Sequence, residues 1–212
     1  MNKSKHMDDI WKQVPPDYYE KGIRENILQR IWHENKLSNF KKIVNEANYS
    51  IILDVGCAGG EFSNKISNIF PQAKITGIDI YSNAIEYGKR RYPHIKFIQA
   101  DAHRIPSNDN SFDLVVCYET IEHLVEPLKA LKEIRRVLKK EGTAVVAMDS
   151  GSLLFQIVWW FWEKTKGKVW QGAHIHPYKH KELENIIKEA GFKIKSKRFS
   201  HLGMEISFML VK

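Results

Sequence analysis

From residue 51 onward, short apolar runs alternate with longer charged stretches, and this alternation limits the fold more than any other feature of the chain. The runs are rich in Ile, Val and Leu without strict alternation, as in strands that helices cover on both faces. Strands are predicted over residues 51–55, 74–79, 95–99, 112–118 and 143–148. Helices are predicted between them over residues 60–70, 82–91 and 124–139. This βαβαβ order predicts a doubly wound α/β fold around a parallel sheet.

Two further segments flank this core. Within residues 17–47, four apolar residues at helical spacing predict one or two amphipathic helices. These residues are Ile23, Ile27, Ile31 and Leu37. At the other end, residues 180–190 predict a helix that Gly191 ends. Strands over residues 192–199 and 205–211 are expected to form a closing hairpin at the sheet edge.

Composition excludes several classes of protein. The 212 residues are 43% hydrophobic and 27% charged, which excludes a disordered, collagen-like or disulfide-scaffold chain. The 33 basic residues exceed the 25 acidic ones, and the net charge of +8 permits an anionic partner without identifying one. Cys57 and Cys117 lie in apolar runs, which fits a reducing compartment. The amino terminus lacks the apolar core of a secretory signal, so a cytoplasmic location is expected.

The loop after the first strand, Asp54-Val55-Gly56-Cys57-Ala58-Gly59-Gly60, lies where an α/β sheet binds a nucleotide. A dinucleotide fingerprint would need glycine where the chain has Ala58 and Glu61, and a P-loop would need a lysine after its last glycine. The carboxylates of Asp54 and Glu61 would repel a pyrophosphate but suit a ligand with a cationic end. S-adenosylmethionine, with a sulfonium, an ammonium and no phosphate, has this character.

Acidic residues also follow the next two strands. The second strand ends at Asp79, whose carboxylate can accept hydrogen bonds from both hydroxyls of a ribose. After the third strand, Asp101 can accept from an adenine amino group while the amide of Ala102 donates to the ring. Because the carboxyl ends of parallel strands meet at one edge, three strand ends supply three parts of one site.

With these motifs the chain resembles the class I S-adenosylmethionine-dependent methyltransferases, in the small-molecule branch that includes the ubiquinone-biosynthesis O-methyltransferases. The matching segments are LDVGCAGG (53–60), GID (77–79), ADA (100–102) and FDLVVC (112–117). They stand in the family's order and spacing over about residues 50–148. The resemblance implies a mostly parallel, seven-stranded Rossmann-like sheet with helices on both faces and an antiparallel last strand.

The resemblance also assigns residues to the cofactor. Asp54, Gly56 and Gly60 would meet its methionine end, Asp79 its ribose and Asp101 its adenine. The full set expected around the cofactor is Asp54, Gly56, Cys57, Ala58, Gly60, Asp79, Ile80, Asp101, Ala102 and Tyr118. The family usually has glycine at the position of Ala58, whose methyl group is expected to tighten the loop without excluding the cofactor. By themselves the glycines would also fit a tight turn without a ligand, and Cys57 would fit a small packing residue.

An E-x-x-E-H cluster of Glu119, Glu122 and His123 follows the fourth strand, where the methyl acceptor should lie. Its oxygen and imidazole groups suit Mg²⁺, Mn²⁺ or Zn²⁺. Similar clusters in small-RNA 2′-O-methyltransferases and some ubiquinone O-methyltransferases bind a metal, and His174 is the fourth ligand expected here. Alternatively, Glu122 and His123 simply open the next helix. Without a metal, His123 and Glu122 are the predicted catalytic residues, with His123 as general base for an acceptor hydroxyl.

The acceptor is expected to bind under two covers. These are an amino-terminal helical lid over residues 1–47 and an aromatic-rich insertion over residues 150–173 within a cofactor-binding domain of residues 48–212. Their aromatic side chains predict a small hydrophobic or aromatic acceptor, with O-methylation favoured. They are Trp11, Tyr18, Tyr19, Trp32, Trp159, Trp160, Trp162 and Trp170. The insertion would equally fit a helix packed into the core.

Other partners remain open at this point. Lys164, Lys166 and Lys168 give the insertion a cationic border, which suits peripheral contact with an anionic membrane surface. Nucleic acid is less favoured, because the basic residues are scattered and no RNA-binding module is evident. An RNA or protein methyltransferase and a catalytically silent, cofactor-binding regulatory protein are the alternative functions. The sequence does not determine the oligomeric state.

Overall fold

The computed structural model describes residues 10–44, 48–165, 167–168 and 180–212. Its strands are β1 (Ile51–Val55), β2 (Lys74–Asp79), β3 (Lys96–Gln99), β4 (Phe112–Tyr118), β5 (Leu138–Asp149), β6 (Lys193–Ser200) and β7 (Glu205–Val211). They form one seven-stranded sheet in the order β3-β2-β1-β4-β5-β7-β6. Strands β1 to β5 are parallel to one another, whereas β7 runs antiparallel to β5 and β6. The predicted doubly wound, mostly parallel sheet with an antiparallel last strand is confirmed.

Helices cover both faces of the sheet. They are α1 (Tyr18–Glu25), α2 (Ile27–Ile43), α3 (Glu61–Ile69), α4 (Ser82–Arg91), α5 (Pro127–Val137), α6 (Leu153–Lys164) and α7 (His180–Glu189). One apolar core joins α5 and α7 to the sheet, and a second core on the opposite face joins α2, α3 and α4 to it. Strand β4 serves both cores, because Val115 faces the first while Leu114 and Val116 face the second.

Helix α2 exists as predicted, but its buried side is not the one that the apolar spacing indicated. Ile27 and Ile31 are 60% and 47% exposed, whereas the buried residues are His33, Lys36, Asn39, Phe40 and Ile43. Polar side chains can lie inward here because they meet partners on the sheet. The amide Nδ2 of Asn39, for example, donates a 2.9 Å hydrogen bond to Ser207 Oγ.

Two boundaries and the position of the closing hairpin differ from the prediction by more than a residue or two. Helix α5 begins at Pro127 rather than at residue 124, since proline favours the first helical position. Strand β5 begins at Leu138, five residues before the predicted start, and its first pair is Phe112 with Leu138. The closing hairpin is present, but its second strand, β7, lies inside the sheet and β6 forms the edge.

Helix α6 is the insertion between β5 and the last helix. Of its large apolar side chains only Phe155 is buried, so the interpretation as a core helix is wrong. Among the described residues, no helix has both the length and the apolar character needed to cross a bilayer.

Candidate active site

A cavity of about 390 Å³ opens at the carboxyl ends of β1, β2 and β4, and we call it the strand-end cavity. Of the residues expected around the cofactor, all except Gly60 line it. They are Asp54, Gly56, Cys57, Ala58, Asp79, Ile80, Asp101, Ala102 and Tyr118. The strand-end pattern therefore identified residues that the fold brings to one cavity.

The loop after β1 is held in shape by the end of β2. The amides of Gly56 and Cys57 donate to the carbonyl oxygen of Ile78, and the Ala58 amide donates a 2.8 Å hydrogen bond to Asp79 Oδ2. Ala58 has φ = 47°, a left-handed conformation that favours glycine. This conformation is a physical reason for the glycine usual in the family. The position tolerates alanine at a cost of about 1–2 kcal/mol.

Two glycines of this loop are required for different reasons. Gly56 has φ = 74°, and a Cβ atom there would lie 2.2 Å from Thr120 Oγ1. Gly60 has φ = 86°, and a Cβ atom there would lie 2.4 Å from the ring of Phe97. Gly60 therefore lets α3 begin close to β3 and does not itself line the cavity.

Three acidic side chains lie at increasing exposure along this edge. Asp54 is buried, accepts a 2.5 Å hydrogen bond from Ser63 Oγ, and has its pKa raised by burial to about 6. Asp79 is held by the amides of Ala58 and Tyr81, and burial raises its pKa as well. Asp101 is exposed at the rim, where it lies 2.6 Å from His103 Nδ1.

A second cavity of about 580 Å³ lies beside the first, and we call it the apolar cavity. Its walls come from α1, α2, α6 and the short turn His201–Gly203. Most of the lining side chains are aliphatic or aromatic. Four residues line both cavities, namely Tyr19, His33, Glu119 and His123. The two cavities therefore share a wall, where a group bound in one lies next to a group bound in the other.

The three side chains of the E-x-x-E-H cluster do not converge on one point, and Glu119 is already paired with other residues. Lys36 Nζ lies 2.5 Å from Glu119 Oε2, and Trp32 Nε1 donates a 2.8 Å hydrogen bond to Glu119 Oε1. Although burial opposes ionisation, the Lys36 ammonium holds the pKa of Glu119 at about 2. In the part of the chain that the structure describes, no group of three His, Cys, Asp or Glu side chains is placed to hold a metal. His174 lies outside the described residues, so the predicted metal site has no support here.

Glu122 and His123 lie at different depths. Glu122 is 2% exposed and lines only the apolar cavity, together with Asp149. Burial and the nearby Asp149 carboxyl raise the pKa of Glu122 well above its usual range, which favours the neutral form of this side chain. Its Oε2 atom has no hydrogen-bond partner among the described residues. The imidazole of His123 lies in the shared wall, edge-on to the Trp11 ring at a centroid distance of 5.5 Å.

Asp149, Lys36 and His33 are among the polar residues of these cavities that the sequence interpretation missed. Asp149 ends β5, and the strand-end argument used for the first three strands would have found it. No sequence pattern indicates that Lys36 and His33 are buried in the site, because polar residues of a helix are usually exposed. Only the position of α2 over the sheet brings them into the site.

Comparison with known proteins gives matches in sequence and in structure. Residues 53–146 match a family model described as a methyltransferase domain. A demethylmenaquinone methyltransferase from Staphylococcus aureus is 32% identical over 161 residues, a match that covers 66% of this chain and 66% of that protein. A solved structure from Pyrococcus horikoshii has a TM-score of 0.74 at 19% identity and covers 94% of this chain and 96% of its own. The solved structure of a SAM-dependent methyltransferase from Aquifex aeolicus has a TM-score of 0.63 at 17% identity, and the match covers 96% of this chain and 97% of that one.

Proposed function

Because this chain belongs to the class I S-adenosylmethionine-dependent methyltransferases, we propose that it methylates a small hydrophobic or aromatic acceptor bound in the apolar cavity. One observation carries this proposal: an acid-lined cavity suited to a cationic cofactor shares a wall with an apolar cavity. The apolar cavity has the volume typical of sites for small ligands. We propose oxygen as the methylated atom.

Successive residues along the strand-end cavity would bind successive parts of S-adenosylmethionine. Asp54, ionised, would attract the cationic methionine end, and Gly56 lets backbone approach it. Asp79 would accept hydrogen bonds from the ribose hydroxyls while it holds the loop. Asp101 and the amide of Ala102 would meet the adenine at the rim. When bound, the cofactor supplies an electrophilic methyl group on its sulfonium.

Residues of the shared wall would align the acceptor and exclude water, which are the main contributions to an in-line displacement. His123 lines both cavities and would take the proton of an acceptor hydroxyl. Glu122, whose raised pKa favours the neutral carboxyl, would donate a hydrogen bond to an acceptor oxygen and so act as a positioning residue rather than a base. No metal is assigned a role, because Lys36 already neutralises Glu119.

The chemical class of the acceptor follows from the lining. Aromatic and aliphatic side chains from α2 and α6 surround most of the apolar cavity, whereas Glu122 and Asp149 lie together at one part of its wall. A planar ring with an oxygen substituent and an apolar tail matches this distribution. The S. aureus relative is named for demethylmenaquinone, which supports a quinone-like acceptor.

The test is transfer of a labelled methyl group. Purified protein is incubated with methyl-labelled S-adenosylmethionine and, separately, with hydroxylated quinone precursors, extracted lipids, RNA and protein. Label in a quinone or lipid product supports the proposal, and analysis of that product identifies the methylated atom. Label in RNA or protein would favour those acceptors instead. Cofactor binding with no labelled product in any pool would favour a catalytically silent regulatory protein.

The pKa of Asp54 predicts how cofactor binding depends on pH. Burial raises this pKa to about 6, so the carboxyl is neutral below pH 6 and loses its attraction for the ammonium of the cofactor. We expect the dissociation constant, measured by calorimetry, to rise by up to about tenfold per pH unit below pH 6. Asp54→Asn should bind more weakly at pH 8 and show no such dependence. Equal wild-type affinity at pH 5 and pH 7.5 would contradict the placement of Asp54.

The separation of the two cavities predicts the effect of Glu122→Leu. Because Glu122 lines only the apolar cavity, we expect its loss to raise the KM for the acceptor by about tenfold and to leave cofactor affinity unchanged. Glu122→Gln, which retains a hydrogen-bond donor, should keep most of the activity. A general-base role would instead require the glutamine variant to lose turnover as completely as the leucine variant does.

A further inference from the structure

Apolar side chains from three separate segments lie exposed around the apolar cavity. Helix α6 exposes Leu153 by 72% and Trp160 by 55%, and the start of α2 exposes Ile27 by 60% and Leu28 by 67%. The short turn His201–Gly203 exposes Leu202 by 91%. We call these five residues the docking patch. Exposed apolar side chains gathered in this way indicate an interaction surface.

The position of Leu202 is held by its surroundings. His201, Leu202 and Gly203 have φ angles of 52°, 56° and 85°, and a leucine in this left-handed region is strained. The turn is nevertheless fixed, because Ser150 Oγ donates a 2.5 Å hydrogen bond to Gly203 O and His201 Nε2 lies 2.7 Å from Trp32 O. Surrounding hydrogen bonds therefore hold Leu202 in a strained backbone conformation in which its side chain is exposed to solvent.

The docking patch is continuous with the apolar cavity. Leu28 and Leu202 belong to both, and on α6 Phe155 lines the cavity while Leu153 and Trp160 are exposed and do not line it. An apolar molecule leaving a surface that covers the patch would therefore reach the cavity without passing through bulk water.

Cationic side chains accompany the patch on the same segments. Arg30 is exposed on α2, Lys164 is exposed in the last turn of α6, and Lys168 is exposed shortly after it. The whole chain has a net charge of +8. An apolar surface with cations beside it matches a bilayer whose headgroups are anionic, because apolar side chains enter the acyl boundary while the cations meet the headgroups.

We propose that the docking patch rests on an anionic lipid bilayer and that a lipid-like acceptor enters the apolar cavity from it. The second half of this statement rests on the proposed function, whereas bilayer binding does not. The contact is peripheral, with α6 lying in the interface rather than crossing it.

The test is flotation of the full chain with vesicles of phosphatidylcholine alone or of phosphatidylcholine and phosphatidylglycerol in equal amounts. We expect flotation with the anionic vesicles, reduced by about tenfold or more on neutral vesicles or in high salt. Leu153→Ser/Trp160→Ser, at positions that line neither cavity, should lower partitioning by about tenfold or more.

A charge-matched pair of variants gives the control. Lys164→Glu/Lys168→Glu should lose flotation, whereas Lys74→Glu/Lys96→Glu should not, because Lys74 and Lys96 are exposed at the starts of β2 and β3, away from the patch. Flotation that persists in both patch variants would overturn the proposal. Absence of flotation together with a dimer that Leu153→Ser/Trp160→Ser dissociates would assign the patch to a second copy and overturn it as well.

Methyl transfer separates this proposal from the proposed function. With a detergent-dispersed acceptor and no vesicles, Leu153→Ser/Trp160→Ser is expected to transfer methyl groups at the wild-type rate. Flotation without transfer to any acceptor would refute the proposed function while supporting the docking patch.

Discussion

Replacing Asp79 with alanine is expected to raise the dissociation constant for S-adenosylmethionine by about 100-fold or more. We propose that Asp79 accepts two charge-assisted hydrogen bonds from the ribose hydroxyls; such bonds contribute about 1.5–3 kcal/mol each, and 1.4 kcal/mol corresponds to a factor of ten. The carboxylate also accepts from the amides of Ala58 and Tyr81, so its loss frees the loop that shapes the strand-end cavity. Isothermal calorimetry measures the effect directly.

Asp79→Asn and Glu141→Ala make this result interpretable. The asparagine variant keeps the size of the side chain but loses its charge, so an intermediate affinity is expected. Glu141 is an exposed acid at the start of β5, and Glu141→Ala should bind as the wild type does. Unchanged affinity in Asp79→Ala would reject the ribose assignment, provided that circular dichroism shows a folded protein.

Lys36→Met is expected to lower the free energy of unfolding by about 3 kcal/mol, because it leaves a mostly buried carboxylate without its cation. The Lys36 side chain is 5% exposed and that of Glu119 is 24% exposed, and their 2.5 Å contact joins α2 to the end of β4. Loss of the pair therefore weakens the attachment of α2 to the sheet. Urea unfolding monitored by circular dichroism measures the change.

The double variant Lys36→Met/Glu119→Gln distinguishes a lost pair from a lost side chain. Removing both charges should recover most of the stability, because no unpaired charge then remains buried. Lys89→Met is the matched control, since Lys89 and Glu86 form an ion pair that is exposed on α4, and little change is expected. A double variant as unstable as Lys36→Met would show that the charge pair is not the cause.

The sheet was largely predictable because its signal is local. Strands β1, β2, β4 and β7 begin and end at the predicted residues, since each is a run of apolar residues with clear limits. Strand β5 was predicted too short because its first residues, Lys139 to Gly142, are polar. These residues lie in an irregularity between the pairs Phe112–Leu138 and Leu114–Thr143, and the sequence of β5 alone does not show that the strand continues across it.

The candidate site was predictable where it depends on strand ends and unpredictable where it depends on distant partners. Asp54 and Asp79 lie at the carboxyl ends of β1 and β2, and Asp101 follows β3, so the topology brings the three acids together. The spacing of Glu119, Glu122 and His123 suggested a metal, but Lys36, 83 residues away in the chain, pairs with Glu119. No local pattern reveals which charged residue of a helix will be buried.

The sequence by itself determined the doubly wound sheet, the loop after β1 and the three acids of the strand-end cavity, because periodicity and strand ends are properties of neighbouring residues. Only the tertiary structure decided the apolar cavity, since α1, α2, α6 and the turn at Leu202 meet there from distant parts of the chain. It also decided that the ionised state is favoured at Glu119, whose pKa is lowered, and the neutral state at Glu122, whose pKa is raised. Burial and the charges nearby set these states, and both follow from packing rather than from spacing in the chain.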